Sequence, residues 1–190
     1  MNCKLLAIHI TYGLTIRPLR LRDSSAYFGL VENNREWLSQ YGDETSDKYP
    51  SFGSVEYSFV YPQNPDKRRY GIWNHNIFMG TLNLEPFDKD TVIIGYWLGE
   101  EFIRDGVMTK CVKILTKHAI EDLGYKNVIA HVKPGNRRSR AVLSRASYKL
   151  CNGDCANYQR EDDDIEITYK FCRKRNKKPH HAGCQSFTND

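Results

Sequence analysis

A glycine-containing turn stands between a strongly apolar segment and a long segment with helical periodicity. The turn is Arg104-Asp105-Gly106, and the apolar segment before it ends at Leu98. The first amides of a helix have no partners within the helix, and the positive end of the helix dipole lies beside them, so such a junction can bind phosphate. It can equally be a simple helix start, because strand–turn–helix junctions with one glycine are common. The sequence therefore offers a candidate pyrophosphate site.

The segment after this turn has the periodicity of an amphipathic helix. Apolar residues recur there at spacings of three and four, and Gly124 can end the helix. Before the turn, Thr91–Leu98 (TVIIGYWL) is almost entirely apolar, as expected of a central strand covered on both faces. We therefore predict a buried strand, the turn and a long helix in succession. The apolar positions of the helix are Val107, Met108, Cys111, Val112, Leu115, Ala119, Ile120 and Leu123.

Further strand candidates lie on both sides of this unit. RRYGIW ends at Trp73, NIFMGTLNL covers residues 76–84, and the turn signals NHN and PFDKD follow them. This order favours an antiparallel meander. NVIAHV, at residues 127–132, predicts a strand after the long helix. DIEITYKF, at residues 164–171, alternates polar and apolar residues as a half-exposed strand does.

The N-terminal part predicts one strand and two helical segments. LTIRPL, at residues 14–19, reads as a strand, and residues 33–41 (NNREWLSQY) form the second helical segment. Residues 42–53 are polar and contain a proline, which predicts a loop bordering a substrate cleft. Near the other end, residues 136–146 predict a shorter helix with Asn136 as its N-cap. The first helix follows the capping residue Asp23, and its apolar face includes Ala26, Tyr27, Leu30 and Val31.

The length and the charge distribution indicate one domain with a basic tail. The chain has 190 residues, enough for a substantial core. We assign residues 1–172 to the domain and residues 173–190 to a basic, disordered tail. The net charge is +5, and five cationic side chains against Asp190 give the tail +4 of it. A short basic tail is more often a solvated terminus than a nucleic-acid site, so a nucleic-acid partner is the weaker interpretation.

The apolar runs and the cysteines bear on the compartment. No apolar run approaches the ~20 residues that a membrane-spanning helix needs, and the N-terminus lacks a small-residue cleavage site. We therefore expect a cytoplasmic protein with no membrane segment and with reduced thiols. No Cys-x-x-Cys pair is present, so we expect no metal. The residues weighed for a zinc site are Cys151, Cys155, Cys172, Cys184, His180 and His181.

Residues 94–150 resemble the N-acetyltransferases of the GNAT superfamily, in particular their RimJ/RimL-type branch. IGYWL stands at residues 94–98, and the Asn-x-x-Ser element Asn136-Arg137-Arg138-Ser139 opens the shorter helix. LTIRPLRLRD and NNREWL extend the likeness to residues 14–169. The resemblance implies an α+β (mixed α/β) fold, with a central, mostly antiparallel twisted sheet of about six to seven strands and helices on both sides. The sheet would splay where the coenzyme enters.

The resemblance also implies an enzyme that transfers an acyl group from acyl-CoA, with acetyl-CoA as the expected co-substrate. Two departures from the family pattern stand out. Of the turn pattern Gln/Arg-x-x-Gly-x-Gly/Ala only Gly106 matches cleanly, and Met108 replaces a small residue where the chain passes close to the ligand. Ile93 stands where related enzymes often carry a glutamate. The residues implied in coenzyme binding are Tyr96, Trp97, Leu98, Ile103, Arg104, Asp105, Gly106, Val107, Met108, Thr109, Asn136 and Ser139.

Acyl transfer to an amine requires a base, because a primary amine with a pKa near ~10 is mostly protonated at neutral pH. Glu85 and Glu101 lead by position, followed by Glu100 and by His131 on the adjacent strand. Each glutamate is alternatively a solvated surface group, and the histidine is alternatively a packed sheet residue. A backbone amide within residues 96–98 would stabilise the oxyanion.

The same resemblance gives Ser139 the role of proton donor to the departing thiolate, and Asn136 a contact with the pantetheine arm. Their alternative interpretation is a helix cap and a first-turn serine. Tyr96 and Trp97 alternate along the strand, so one faces the cleft and the other faces a packing layer. The sequence does not decide which of the two faces the cleft.

The acceptor is an amine-bearing protein N-terminus, a lysine or a small molecule. Trp37, Tyr41 and Trp73 are candidates to line its groove, although a core role is equally compatible with each. The family also suggests a homodimer. Three alternatives remain at this stage: transfer of a longer acyl chain, a catalytically silent acyl-CoA-binding module, and nucleic-acid binding through the basic tail.

Overall fold

The computed structural model describes residues 8–11, 13–40, 44–151 and 167–172. The eight strands in these ranges are β1 (Ile8–Thr11), β2 (Leu14–Pro18), β3 (Arg68–Asn74), β4 (Ile77–Pro86), β5 (Thr91–Leu98), β6 (Asn127–Val132), β7 (Tyr148–Leu150) and β8 (Ile167–Phe171). The helices are α1 (Ser24–Asn33), α2 (Arg35–Ser39), α3 (Thr45–Lys48), α4 (Phe52–Val60), α5 (Val107–Glu121) and α6 (Arg137–Arg145). None of the helices in these ranges combines the length and apolar character that a membrane span requires.

The strands form one sheet in the order β1-β2-β3-β4-β5-β6-β8-β7. Neighbouring strands are antiparallel except β5 and β6, which are parallel and are connected through α5. The predicted mostly antiparallel sheet of an α+β protein is thus confirmed. The edge strands β1 and β7 were not predicted. They have only four and three residues, which are too few to show the alternation of apolar and polar residues typical of a strand.

Strands β5 and β6 separate after a short paired stretch. Only three residue pairs join them, and the last is Ile93 with Ile129. Strand β5 continues to Leu98 along β4, and β6 continues to Val132 along β8. The sheet therefore opens between residues 94–98 and residues 130–132, and we call this opening the splay. The resemblance predicted a splay in the sheet, without naming the residues that border it.

Two hydrophobic cores cover the two faces of the sheet. On one face α5 and α6 pack against alternate residues of β4, β5 and β6, including Leu82, Ile94 and Ala130. On the other face α1, α2 and α4 surround an aromatic cluster that contains Trp97. Helices therefore lie on both sides of the sheet, and the splay connects the two sides. The fully buried side chains on the α5 face include Val112 and Leu115, two of the predicted helix positions.

The first helix begins after Asp23, as predicted, but the capping differs. The Asp23 carboxylate accepts from both Nη atoms of Arg17 at 2.8 Å and from the Arg20 amide at 2.9 Å, rather than from the helix. Burial alone would raise the pKa of Asp23, yet these partners hold it below its usual value. Ala26 is exposed, so its assignment to the apolar face is wrong, whereas Tyr27 and Leu30 are buried as predicted.

The predicted loop at residues 42–53 is wrong for the part that the structure describes. It contains the one-turn helix α3 and the start of α4. Two serines start α4 reciprocally, because the Ser51 hydroxyl accepts from the Ser54 amide and the Ser54 hydroxyl accepts from the Ser51 amide, both at 3.2 Å. Such hydroxyls satisfy amides that a helix start leaves unpaired.

The expectation of reduced thiols is also corrected. Cys151 is disulfide-bonded, whereas Cys111 and Cys172 are free. The remaining cysteines, Cys3, Cys155 and Cys184, lie outside the described residues. The basic tail, and four of the six residues weighed for a zinc site, also lie outside them: Cys155, His180, His181 and Cys184.

Candidate active site

The free edge of β5 lines the splay. The Gly99 amide donates to the Met79 carbonyl of β4 at 2.9 Å, so odd-numbered residues at this end of β5 direct their backbone groups toward β4. Because these directions alternate along a strand, the amides of Tyr96 and Leu98 point the other way, into the splay. Pairing with β6 has ended by then. This edge therefore presents donors to whatever occupies the opening.

The turn before α5 lies beyond the same end of β5. Asp105 and Gly106 both have positive φ, 54° and 66°, and Gly106 is the residue that precedes the helix. No side chain caps the first turn. The Val107 amide donates to the Arg104 carbonyl at 3.2 Å, which leaves the next amides of the turn for a ligand. A Cβ at Gly106 would meet nothing within 4 Å, which shows that the turn is open on that side. Ile103 and Arg104 are exposed beside it.

Two buried residues, Met108 and Thr109, lie in the first turn of α5. The Met108 side chain is 7% exposed and belongs to the core between α5 and the sheet. Its amide belongs to the first turn of α5. The Thr109 hydroxyl is buried and has no hydrogen-bond partner among the described residues. Uncapped amides and an orphaned hydroxyl fit a phosphate group.

Helix α6 stands across the splay from β5. Asn136 is its N-cap, as predicted, and its side-chain oxygen accepts from the Ser139 amide at 3.0 Å. The Tyr96 hydroxyl donates to the Ser139 carbonyl at 3.2 Å. Ser139 is half-buried, and its side chain also interacts with the Tyr96 hydroxyl. The structure thus holds the Ser139 hydroxyl beside the strand edge.

The side chains of Tyr96 and Trp97 lie on opposite faces of the sheet. Tyr96 packs on the α5–α6 side, and burial raises the pKa of its hydroxyl far above the ordinary value, although the bond to Ser139 opposes this. Trp97 is buried in the aromatic cluster, where it meets the Tyr27 ring edge-on at a centroid distance of 5.8 Å. The side chain that faces α6 is therefore Tyr96, and Trp97 contributes packing.

The aromatic residues predicted to line the acceptor groove differ in position. Trp37 lies on α2, half-buried, and its indole N–H donates to the Leu98 carbonyl at 3.0 Å. It thus stands at the free end of β5. Trp73 is 7% exposed in the aromatic cluster beneath the Arg17 guanidinium, so we assign it to the core. Tyr41 lies outside the described residues.

Glu85 lies on β4 directly opposite Ile93, the position where related enzymes often carry a glutamate. Its carboxylate pairs with Lys67 at 2.8 Å and accepts from the Asn64 amide group at 3.2 Å. Partial burial would raise the pKa of Glu85, but Lys67 and Asn64 hold it below the usual value. Glu85 is therefore ionised at neutral pH and is only a weak base.

The other base candidates occupy both ends of the splay. Glu100 and Glu101 are exposed in the 3-10 turn after β5. The Glu101 carboxylate folds back, so that a Cβ at Gly99 would lie 2.8 Å from its Oε2. His131 is on β6, half-buried, with its Nδ1 3.0 Å from the Thr168 hydroxyl. Glu85 and His131 thus flank the inner end, and Glu101 flanks the outer end.

Asn34 is a buried residue next to the turn after β5 that sequence reasoning did not identify. It is 4% exposed, its amide group donates to the Leu30 carbonyl at 3.0 Å, and its oxygen accepts from the Glu100 amide at 2.8 Å. It therefore ties the end of α1 to the turn after β5. The sequence does offer a clue: Asn34 lies between two helical segments, and an asparagine at such a position often forms hydrogen bonds from its side chain to the backbone.

Comparisons with known proteins agree with this geometry. Residues 13–149 match the profile of the acetyltransferase (GNAT) domain. A relative from Bacillus subtilis (strain 168), named "Probable N-acetyltransferase YjcK", is 27% identical over 142 residues, covering 70% of this chain and 78% of that protein. The domain match spans well over half of the sequence. The chain therefore belongs to the GNAT family of N-acetyltransferases.

Solved structures show the same fold. The ribosomal L7/L12 alpha-N-protein acetyltransferase RimL in complex with coenzyme A is similar with a TM-score of 0.74 and 22% identity, over 87% of this chain and 97% of that one. The microcin C7 self-immunity acetyltransferase MccE, in complex with acetyl-CoA and AMP, gives a TM-score of 0.68 and 20% identity, over 86% and 94%. At these identities the likeness concerns the fold.

Proposed function

We propose that this enzyme transfers an acetyl group from acetyl-CoA to the primary amine of a protein or peptide. The observation that carries the proposal is the splay, where the unpaired edge of β5 at Tyr96 and Leu98 lies beside the start of α6, to which the Tyr96 hydroxyl is bonded at the Ser139 carbonyl. The two structural neighbours described above hold coenzyme A and acetyl-CoA, and RimL acts on a ribosomal protein. These neighbours support the same co-substrate class and a protein acceptor here.

The coenzyme's pyrophosphate would lie at the turn around Gly106. The first amides of α5, with the positive end of the helix dipole, bind phosphate oxygens, and the Thr109 hydroxyl is a further donor. Asn136 and the edge of β5 would hold the pantetheine arm inside the splay. The co-substrate supplies the activated acyl group, and this chain supplies the binding groups and the proton transfers.

Residues of this chain would then divide the chemistry among them. The amine nitrogen attacks the thioester carbon, a C–N bond forms, and the C–S bond breaks. The amide of Tyr96 stabilises the negative charge that develops on the carbonyl oxygen. Ser139 donates a proton to the departing thiolate, whose reference pKa is near ~8.5, and the serine oxygen takes up a proton from solvent water in the same step. The amine loses its own proton to a carboxylate, for which Glu85 is the first choice because it is ionised and flanks the inner end.

The proposal is tested by calorimetric titration with acetyl-CoA, coenzyme A and an acyl-CoA with a longer chain. We expect acetyl-CoA and coenzyme A to bind with dissociation constants on the order of micromolar, about −8 kcal/mol. We expect the longer acyl chain to bind more weakly, because Met108 and Leu98 leave a packed core behind the strand edge. Preferential binding of the longer acyl chain would reassign the acyl donor, and failure of every thioester to bind would refute the proposal.

A further inference from the structure

Arg138 lies at the splay, where the two faces of the sheet meet. It is exposed in the first turn of α6, between the N-cap Asn136 and Ser139. Its guanidinium carbon lies 4.4 Å from the centroid of the Trp37 ring. Trp37 belongs to α2 and packs against the aromatic cluster on the opposite side of the sheet from α6. Arg138 therefore extends around the free end of β5 toward the α1–α4 side.

The contact with Trp37 also fixes Arg138 in relation to the reactive edge. The Trp37 indole N–H donates to the Leu98 carbonyl at 3.0 Å. One hydrogen bond, one indole ring and one cation–π contact thus connect the strand edge to the guanidinium. Because a cation over an aromatic ring is attracted by the ring's negative face, the arginine is held in place although it is exposed.

The charge of Arg138 is not neutralised within the described part of the protein. None of the ion pairs formed there includes it, and its N–H groups donate no hydrogen bond to the residues that the structure describes. A guanidinium that stacks flat on a ring keeps its in-plane donors free. These donors match the two oxygens of a carboxylate. An anionic group fits this position.

We propose that Arg138 selects acceptors that carry a carboxylate close to the reacting amine, namely peptides with acidic residues next to the N-terminus. This inference rests on the proposed acetyl transfer and concerns only the choice of acceptor. An acidic peptide places its carboxylate on the guanidinium while its amine enters the splay beside Ser139. A cationic acceptor, such as a polyamine or a lysine-rich peptide, meets an unfavourable like charge at the same point.

The test compares steady-state acetylation of three peptides that differ only at their second and third residues, which are acidic, neutral or basic. We expect the wild type to show the lowest KM with the acidic peptide. Arg138→Gln should raise that KM by about 10-fold, a typical effect for one charge-assisted contact, with little change in kcat. Arg138→Glu should reverse the order and favour the basic peptide. The affinity for acetyl-CoA, measured by calorimetry, should stay unchanged in both variants.

Arg137→Gln is the matched control. Arg137 is the preceding residue, carries the same charge and is exposed, but it lines a groove between α6 and β7 together with Lys149 and Tyr169. We expect Arg137→Gln to leave the peptide preference unchanged. Equal effects of the two substitutions would reduce the preference to general attraction by a basic helix and overturn the proposal. A loss of acetyl-CoA affinity in Arg138→Gln at unchanged peptide KM would instead assign Arg138 to the coenzyme, which also overturns it.

The outcomes separate this inference from the proposed function. If the wild type acetylates all three peptides with equal KM, acetyl transfer stands and the role of Arg138 is refuted. If the wild type acetylates no amine at all, the proposed function itself fails.

Discussion

Replacing Gly106 by tryptophan is expected to lower the affinity for acetyl-CoA by about 100-fold or more, equivalent to about 2.7 kcal/mol. The turn is open around Gly106, and the space there is where the pyrophosphate would meet the first amides of α5. An indole would occupy that space and cover the amides. Calorimetric titration of the purified variant with acetyl-CoA measures the loss directly.

Two further variants separate the effect of bulk from that of backbone strain. Gly106→Ala carries the same unfavourable positive φ with only a small side chain, so we expect a modest loss of stability and a small loss of affinity. Gly124→Trp places the same indole at a glycine with φ +81° and open surroundings beyond the other end of α5. It should bind acetyl-CoA like the wild type. Equal losses in Gly124→Trp and Gly106→Trp would show that the turn is not the binding site.

Ser139→Ala is expected to lower kcat by about 100-fold, which is the lower end of the usual contribution of a positioned proton donor. The substitution removes only the hydroxyl. The bonds from Ser139 to Asn136 and Tyr96 use backbone atoms, so the start of α6 and its contact with β5 should persist. The affinity for acetyl-CoA should change little. Steady-state kinetics with one peptide acceptor, combined with calorimetry, tests both parts.

Ser144→Ala is the control for this variant. Ser144 lies on the same helix, is exposed and lines the groove near β7, away from the splay. We expect it to retain the wild-type kcat. If Ser139→Ala also retains it, the thiolate leaves without help from this residue, and Ser139 is then only a first-turn helix residue.

The elements that could be predicted from the sequence are the long ones whose apolar residues recur regularly because one face is buried. β5 and α5 were predicted because an apolar strand and a three-and-four spacing both follow from burial against the sheet. The helices at residues 45–60 were missed because α3 has a single turn and α4 begins with serine side-chain bonds rather than with an apolar pattern. The short edge strands β1 and β7 were missed for a similar reason: they are too short to show a periodicity, and they form because a neighbouring strand pairs with them.

The motifs of the candidate site could be predicted from the sequence, but the positions of its side chains could not. IGYWL and Asn136-Arg137-Arg138-Ser139 identified the strand edge and the helix that face each other across the splay. Which of Tyr96 and Trp97 faces α6 depends on how β5 is placed between two different helical layers, and two adjacent aromatics carry no signal for that. The contact between Trp37 and Arg138 joins residues far apart in the chain, so no local pattern reveals it.

The central claim is tested most directly by following the acetyl carbon itself. The wild-type protein is incubated with acetyl-CoA that carries a carbon-13 label at the acetyl carbonyl, together with the acidic, neutral and basic peptides, and the products are observed by carbon NMR. The account predicts that the thioester signal declines while an amide signal grows on the peptide amine, and that Gly106→Trp greatly slows this change. A label that stays in the thioester, or that appears only as free acetate with every amine offered, would contradict it.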